Sequence, residues 1–174
     1  RYDKLSIKNI NKKRKRVAFT GAAHFSARGL YRKRIAAIDY LESFNMIIQP
    51  PMRNSGPGRQ RRSGDNYIKF FTENMFGLTC GGTCNHFVAK YIQIPAMHCL
   101  LVCADTVGLE LYPKDTYIKY DVNNLSRLKS DIKHHIKNPK ETQQKIKKLN
   151  NYVNKKHNNE IRMKQFIKTI KGYL

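Results

Sequence analysis

The chain has 174 residues, of which 40% are hydrophobic, so it is long and apolar enough for one domain with a buried core, and the class of disordered proteins is excluded. Its formal net charge of +22 favours anionic partners, namely nucleic acid, an anionic membrane surface or phosphorylated small molecules. No apolar run is long enough to cross a bilayer, and no signal segment stands at the start.

The first half of the chain predicts two strands and a helix behind a basic N-terminal segment (1–14). An apolar run that ends in small residues favours a buried strand and a tight turn, and apolar residues at helical spacing favour an amphipathic helix. Pro, Gly and Ser accumulate in the loop that follows. In chain order, these elements are a strand with its turn (16–24), a helix (29–44), a strand (45–49) and a loop (50–65).

The second half continues the alternation and ends in helices. Pro95 is expected to stop one helix, and Pro139, with Asn138 as the cap, is expected to begin another. In chain order, these elements are a helix (66–75), a strand (76–80), a helix (84–94), a strand (98–104), a loop with one helical turn (106–115), a strand (116–121), a helix (123–138) and one or two terminal helices (139–170).

Short apolar strands that alternate with helices favour a parallel sheet covered on both faces. We therefore predict an α/β fold, a Rossmann-like doubly wound parallel sheet of about five strands with C-terminal helices. The whole chain (1–174) is expected to form a single domain, with its terminal helices over 139–174. Because the sequence starts at Arg1 rather than Met, we expect a fragment or a processed piece whose activity is shared with a missing part.

All four cysteines lie in one stretch, as two equally spaced pairs, Cys80-x3-Cys84 and Cys99-x3-Cys103. Such pairs are typical of zinc sites, but Cys99 and Cys103 bracket a predicted strand, which separates their backbones by roughly 13 Å. Since one tetrahedral ion cannot hold both sulfurs, we predict buried structural thiols and no metal. A reactive thiolate at Cys84 is the alternative. Four cysteines are too few for a disulfide scaffold, which favours a reducing compartment, the cytoplasm.

A glycine-rich turn, Gly81-Gly82-Thr83, separates the strand at 76–80 from the next helix. Free backbone N–H groups at the positive end of a helix dipole bind phosphate well. The sequence therefore indicates a phosphate-binding turn, with a plain turn as the alternative interpretation.

The stretch "YIKFFTENMFGLTCGG", continued by "VAKYIQIPAMHCLLVCADTVGLELYPKDTYIKYDVNNLSRLKSDIKHHIKNPKE", resembles the C-terminal half of a GT-B glycosyltransferase, of the group related to family 1. The pattern of that group is "kyfEipAcGclLl", a loop, and then "eLxxkIxyyLxnpee" with long terminal helices. The segment "RKRVAFTGAAHFSARGLYRKRIAAIDYL" resembles the start of that half, where a strand ends in a Gly turn and a "yxxR" helix follows. The likeness covers nearly the whole chain.

The resemblance implies a nucleotide-sugar donor at the carboxyl ends of the strands, with no metal and no other cofactor. By position, Gly21 and the following turn would approach the donor phosphates, and Arg32 or Arg34 would pair with the diphosphate. Lys90, in contrast, is expected to extend into solvent. The other residues implied to contact the donor are Gly81, Gly82, Thr83, Gln93, Asp105 and Thr106.

Two positions depart from the family pattern. Gln93 stands where the family commonly has a Glu that grips a donor ribose or sugar, and Gln carries no charge. Met97 and His98 stand where a Gly often follows Pro-Ala. The acceptor site and the usual catalytic base belong largely to the N-terminal domain in this family, so this chain alone is not expected to turn over, and whether it is an enzyme stays open.

Two other functions compete with donor binding. The charge and the runs "KKRKR" and "RQRR" favour a nucleic-acid-binding protein, although no helix-turn-helix, zinc-finger or RNA-binding signature accompanies them. Gln93 and the missing half favour a non-catalytic descendant of the transferase fold, which acts as an interaction module, for instance at an anionic membrane surface. Saturable binding of nucleoside diphosphates separates the first function from both alternatives.

Overall fold

The computed structural model describes residues 5, 9–21, 31–49, 64–81, 86–157 and 159–171. The strands are β1 (Arg14–Ala18), β2 (Ile47–Ile48), β3 (Asn74–Thr79), β4 (Leu100–Ala104) and β5 (Ile118–Tyr120). All five are parallel and pair in the order β2-β1-β3-β4-β5. The prediction of a Rossmann-like α/β fold with a parallel sheet of about five strands is confirmed.

Helices cover the sheet. They are α1 (Arg32–Glu42), α2 (Gly64–Thr72), α3 (Lys90–Ala96), α4 (Leu125–Lys137), α5 (Pro139–His157) and α6 (Asn159–Lys171). Two short 3-10 turns, Ile10–Lys12 and Leu109–Leu111, complete the regular structure of the described residues. The second turn agrees with the single helical turn expected in the loop at 106–115.

Apolar side chains from the helices form two cores, one on each side of the sheet. Ile38 of α1 and Leu128 of α4 belong to the first core, and Phe71 of α2 and Ile94 of α3 belong to the second. Helix α5 contributes to both. Because both faces are covered, every residue of β3 and β4 is buried, which explains why these strands are apolar runs instead of alternating ones.

Helix α3 differs most from its predicted bounds. It begins at Lys90 rather than at residue 84, and it contains Pro95 instead of stopping before it. A proline in a helix lacks the N–H that would bond the carbonyl four residues back, which here belongs to Tyr91. The Tyr112 hydroxyl donates to that Tyr91 carbonyl at 2.7 Å. The proline is therefore tolerated because a side chain from outside the helix replaces its missing donor.

Strand β3 also begins earlier than predicted, at Asn74 rather than at residue 76, so α2 ends at Thr72. The Asn74 side-chain amide donates to the Phe70 carbonyl at 2.6 Å, which satisfies an acceptor at the end of the helix. The predicted loop at 50–65 lies outside the described residues, except for its last two positions, which belong to α2. In the described ranges, no helix has both the length and the apolar character that crossing a bilayer requires.

Candidate functional site

The strand order places a crevice at the carboxyl ends of β1 and β3. β1 lies between β2 and β3, so the strand order reverses there. Open parallel sheets bind their ligands at such a switch point, outside the carboxyl ends of the strands. The chain leaves β1 through Phe19, Thr20 and Gly21, and it leaves β3 through Cys80 and Gly81. The side chains around these five residues define the candidate site, which we call the switch-point site.

Arg34 enters the switch-point site from the first turn of α1. Although charged, it is only 7% exposed. Its Nε donates to the Cys80 sulfur at 3.3 Å, and its guanidinium carbon lies 4.1 Å from the centre of the Tyr31 ring. The hydrogen bond to Cys80 and the stacking on Tyr31 hold the guanidinium between α1 and the end of β3. Its planar set of donors suits a carboxylate or a phosphate.

Lys90 enters the site from the other side, in the first turn of α3. Its ammonium group donates to the carbonyl of Thr20 and lies 5.4 Å from the centre of the Phe19 ring. In the part of the chain that the structure describes, no carboxylate lies within ion-pair distance of this ammonium group. The expectation that Lys90 extends into solvent is therefore wrong, because the side chain is largely buried against the tip of β1.

The pKa of Lys90 is lowered from its ordinary 10.5 to about 8. Burial contributes most to this decrease and the positive charge of Arg34 contributes next, while Cys80 has the opposite effect on the pKa. Two cations therefore lie close together in a partly dehydrated crevice. Each disfavours the charge of the other, and an anion between them would relieve both the repulsion and the loss of hydration.

The absence of a side chain at Gly21 allows Lys90 and Arg34 to approach the same point of the backbone. Its φ of 142° is one that residues with a side chain rarely adopt. A Cβ at this position would lie 2.9 Å from Lys90 Nζ, 3.2 Å from Phe19 Cζ and 3.5 Å from Arg34 Nη1. Both cationic groups thus converge on the bare backbone of Gly21, and any larger residue would fill the space between them.

Two buried hydroxyl groups near the strand ends have no hydrogen-bond partner among the described residues. They are Thr20 Oγ1, at the tip of β1, and the hydroxyl of Tyr120, the last residue of β5. Burial raises the pKa of Tyr120 well above its usual range, and the Arg34 charge opposes that shift, so the phenol stays protonated at neutral pH. Because unpartnered buried hydroxyls are costly, these two are donors available to a bound group.

Arg32 or Arg34 is the residue predicted to pair with the diphosphate, and the structure distinguishes the two side chains. Arg34 is buried in the switch-point site, whereas Arg32 is exposed. Residues two apart on a helix lie roughly 200° apart around its axis, so only one of them faces the sheet. The site therefore includes Arg34 and Gly21 of the predicted residues, and Gly81 follows Cys80 directly at the end of β3.

The other predicted residues lie elsewhere or outside the described ranges. Gln93, one turn after Lys90 on α3, accepts a hydrogen bond from the Tyr67 hydroxyl at 3.1 Å. Asp105 is exposed after β4 and pairs with Lys119 at 3.6 Å. Thr106 is buried and hydrogen-bonded to Tyr91. Gly82 and Thr83 lie outside the described residues.

The cysteines do not gather at one point in the described structure. Cys80 belongs to the core on one side of the sheet, and Cys99 and Cys103 belong to the core on the other. All three are buried free thiols, and burial raises the pKa of Cys99 to about 11. Cys84 lies outside the described residues. Cys80 has a role that sequence analysis did not foresee, since its sulfur accepts from Arg34 in the switch-point site.

Comparison with known proteins adds no family. No protein-family model matches the chain, and no curated protein matches it in sequence.

Proposed function

We propose that the switch-point site binds the diphosphate of a nucleotide-sugar, and that the chain is the donor-binding half of a GT-B-type glycosyltransferase. The observation that carries the proposal is the convergence of Lys90 and Arg34 on Gly21, at the place where doubly wound sheets bind ligands. The resemblance of the sequence to the C-terminal half of such enzymes supplies the class of ligand.

A diphosphate fits the chemistry of the site. Its negative charges offset those of Lys90 and Arg34, which otherwise repel each other in a crevice that burial has partly dehydrated. The guanidinium offers a flat pair of donors and the ammonium a compact point charge. Thr20 Oγ1 and the Tyr120 hydroxyl add neutral donors with no partner among the described residues. The bare backbone at Gly21 leaves room for phosphate oxygens.

In glycosyl transfer, the bond between the sugar carbon and the diphosphate oxygen breaks, and the bonding electrons stay on that oxygen. Lys90 and Arg34 would stabilise the negative charge that develops on the leaving nucleoside diphosphate, which is electrostatic catalysis by preorganised cations. The acceptor and the base that deprotonates it would come from another domain. This chain is thus proposed to bind the donor and not to complete the reaction alone.

Isothermal titration with nucleoside diphosphates and with inorganic pyrophosphate, at low and high salt, tests the proposal. We expect saturable binding with a preference for one base. Lys90→Met should weaken it by about tenfold or more, which is about 1.4 kcal/mol, a typical value for a charge-assisted hydrogen bond. Lys33→Met is the matched control, since Lys33 is an exposed lysine of α1.

Three outcomes would overturn the proposal. The first is the absence of saturable diphosphate binding. The second is binding that Lys90→Met and Lys33→Met weaken equally, because the net charge alone would then explain it. The third is binding only of an unrelated oligonucleotide, with an affinity that falls steeply with salt, which would favour nucleic-acid binding.

One observation favours attachment to an anionic membrane as a second function. Helix α6 buries none of its described side chains and exposes four large apolar ones, at the spacing of one helical face. They are Met163 (58% exposed), Phe166 (61%), Ile167 (45%) and Ile170 (42%). Exposed lysines lie beside them at Lys164, Lys168 and Lys171. A helix with an apolar face and adjacent lysines binds in the headgroup region of anionic bilayers.

Co-sedimentation with vesicles tests this second function. We expect binding to vesicles that contain phosphatidylglycerol and little binding to pure phosphatidylcholine. Ile167→Asp should abolish it, and Leu111→Asp, at another exposed apolar residue outside α6, should not. Equal binding by both variants, or a concentration-dependent dimer that Ile167→Asp dissociates, would contradict attachment through α6.

A further inference from the structure

A group of metal-ligating side chains that contains no cysteine lies at the corner between α4 and α5. His134 and His135 occupy the last turn of α4, and Glu141 lies in the first turn of α5. One ring nitrogen of each histidine and one carboxylate oxygen of Glu141 all lie within 4.8 Å of one another. It is the one such group of three among the described residues. The corner itself is fixed, because Asn138 Nδ2 donates to the His134 carbonyl at 2.8 Å and Pro139 starts α5.

The protein orients the His135 ring through a second residue. His135 is buried, and its Nδ1 lies 3.0 Å from the Thr142 hydroxyl oxygen. That hydroxyl has a single proton and two carbonyl acceptors, those of His135 at 2.8 Å and Asn138 at 3.0 Å. The hydroxyl therefore donates to a carbonyl and accepts from His135 Nδ1–H, so the lone pair of the neutral ring lies on Nε2. An imidazole whose other nitrogen donates to a neighbouring group is the usual form of a histidine ligand.

Glu141 is held in a similar way. Its Oε1 lies 3.0 Å from Lys145 Nζ, and its Oε2 lies 2.9 Å from His134 Nε2. One carboxylate oxygen is thus fixed by a cation on the same helix, while the other faces a histidine nitrogen. Ligand atoms around a tetrahedral zinc ion are roughly 3.4 Å apart, since each lies at about 2.0–2.1 Å from the metal. His134 Nε2 and Glu141 Oε2 therefore need to separate by only about 0.5 Å.

The two histidines also line a cleft of about 730 Å³ between α4 and the segment around β5. The charged lining is mixed, with carboxylates at Asp115, Asp121 and Asp131 beside four basic residues. Because both histidines line this cleft, solvent reaches their side of the group. Three protein ligands with a fourth position open to solvent form a familiar coordination set of zinc.

We propose that His134, His135 and Glu141 bind one zinc ion at the α4–α5 corner, with the fourth ligand a water molecule from the cleft. The ion bonds to His134 Nε2 and Glu141 Oε2, the proton between these two atoms moves to His134 Nδ1 or to solvent, and the ion fixes α5 against α4. Two imidazoles and a carboxylate favour zinc over the hard cations Mg²⁺ and Ca²⁺, which prefer oxygen ligands alone. This inference is independent of donor binding, and it departs from the no-metal expectation, which rested on the spacing of the cysteines and on the family resemblance.

Zinc titration of the full, tag-free chain after treatment with a chelator tests the proposal. We expect one ion per chain, and a rise in the midpoint of urea denaturation when zinc is bound. Glu141→Gln should lower the affinity at least about tenfold, since loss of even an outer-shell partner costs that much. His134→Ala should remove saturable binding. Both residues are partly exposed, so both variants are expected to fold.

Two control variants separate this site from others. His86→Ala alters an exposed histidine elsewhere, and Cys84→Ser removes a thiol outside the group, so both should bind zinc as the wild type does. Co²⁺ in place of zinc should give the visible bands of a tetrahedral site without a sulfur-to-metal charge-transfer band. No zinc binding by the wild type, or binding that His134→Ala leaves unchanged and Cys84→Ser abolishes, would overturn the proposal.

Discussion

Lys90→Met is expected to change the pH dependence of stability in a direction that the structure fixes. The ammonium group of Lys90 is largely buried and close to Arg34, which together lower its pKa from 10.5 to about 8. In the unfolded chain the pKa returns to its ordinary value, so between pH 8 and pH 10.5 the unfolded state binds more protons than the folded one. Wild-type stability due to this group is therefore lowest below pH 8 and rises as the pH increases through that window.

The size of the effect follows from the two pKa values. Their difference corresponds to about 3 kcal/mol of cost for the buried charge at low pH, at about 1.4 kcal/mol per pH unit. Between pH 7 and pH 9.5, about 2 kcal/mol of that cost disappears as the lysine loses its proton. Partial exposure of the side chain screens the interaction, so we expect about 1 kcal/mol to be measured. Met keeps most of the apolar stem of the side chain and removes the amine and its charge.

The assay is urea denaturation of the wild type, Lys90→Met and Lys33→Met at pH 7 and at pH 9.5. We expect the wild type to gain about 1 kcal/mol relative to Lys90→Met between the two pH values, and no such change relative to the exposed control. All other titrating groups are common to the three proteins and cancel. A difference between wild type and Lys90→Met that is constant with pH, or that moves in the opposite direction, would refute the burial of a charged Lys90 beside Arg34.

Two further substitutions test how the helices pack on the sheet. Tyr112→Phe removes the donor to the Tyr91 carbonyl, so urea denaturation should show a loss of about 1–3 kcal/mol in the free energy of unfolding, and an unchanged value would contradict this role. Gly77→Ala places a Cβ 2.6 Å from Ile94 Cγ2, so a loss of about 1–3 kcal/mol from overpacking is expected. Combined with Ile94→Ala, the two losses should be less than additive, and strict additivity would exclude the close contact.

The fold class could be predicted because the buried strands differ so clearly from their surroundings. "HCLLVCA" has no charged side chain after its first residue, and β4 occupies its last five residues, all of them buried. The order of the strands could not be predicted, because β2 is only two residues long and its pairing with β1 depends on packing between distant segments. The spacing of apolar residues indicates whether a segment is a helix or a strand, but it does not indicate which other strand that segment pairs with.

Only some residues of the switch-point site could be predicted, because the positions of its two cations depend on where α1 and α3 begin and how they are rotated. Gly21 follows an apolar strand, which is a local signal, and it stands beside both cations. Arg32 and Arg34 could not be separated, since the rotational position of α1 is set by the core. Lys90 was missed because a helix from residue 84 would place it at mid-helix. The helix in fact begins at Lys90 and continues through Pro95, because Tyr112, a distant residue, satisfies the Tyr91 carbonyl that the proline cannot bond.

The most direct measurement of the central claim is the pKa of Lys90 with and without pyrophosphate. NMR of the chain labelled with ¹³C at lysine Cε, with the signal assigned from its absence in Lys90→Met, follows this titration. We predict a pKa of about 8 in the free protein and a clear upward displacement when pyrophosphate saturates the chain, because a bound anion favours the ammonium form. A pKa that stays the same at saturation would place the anion elsewhere and contradict the account.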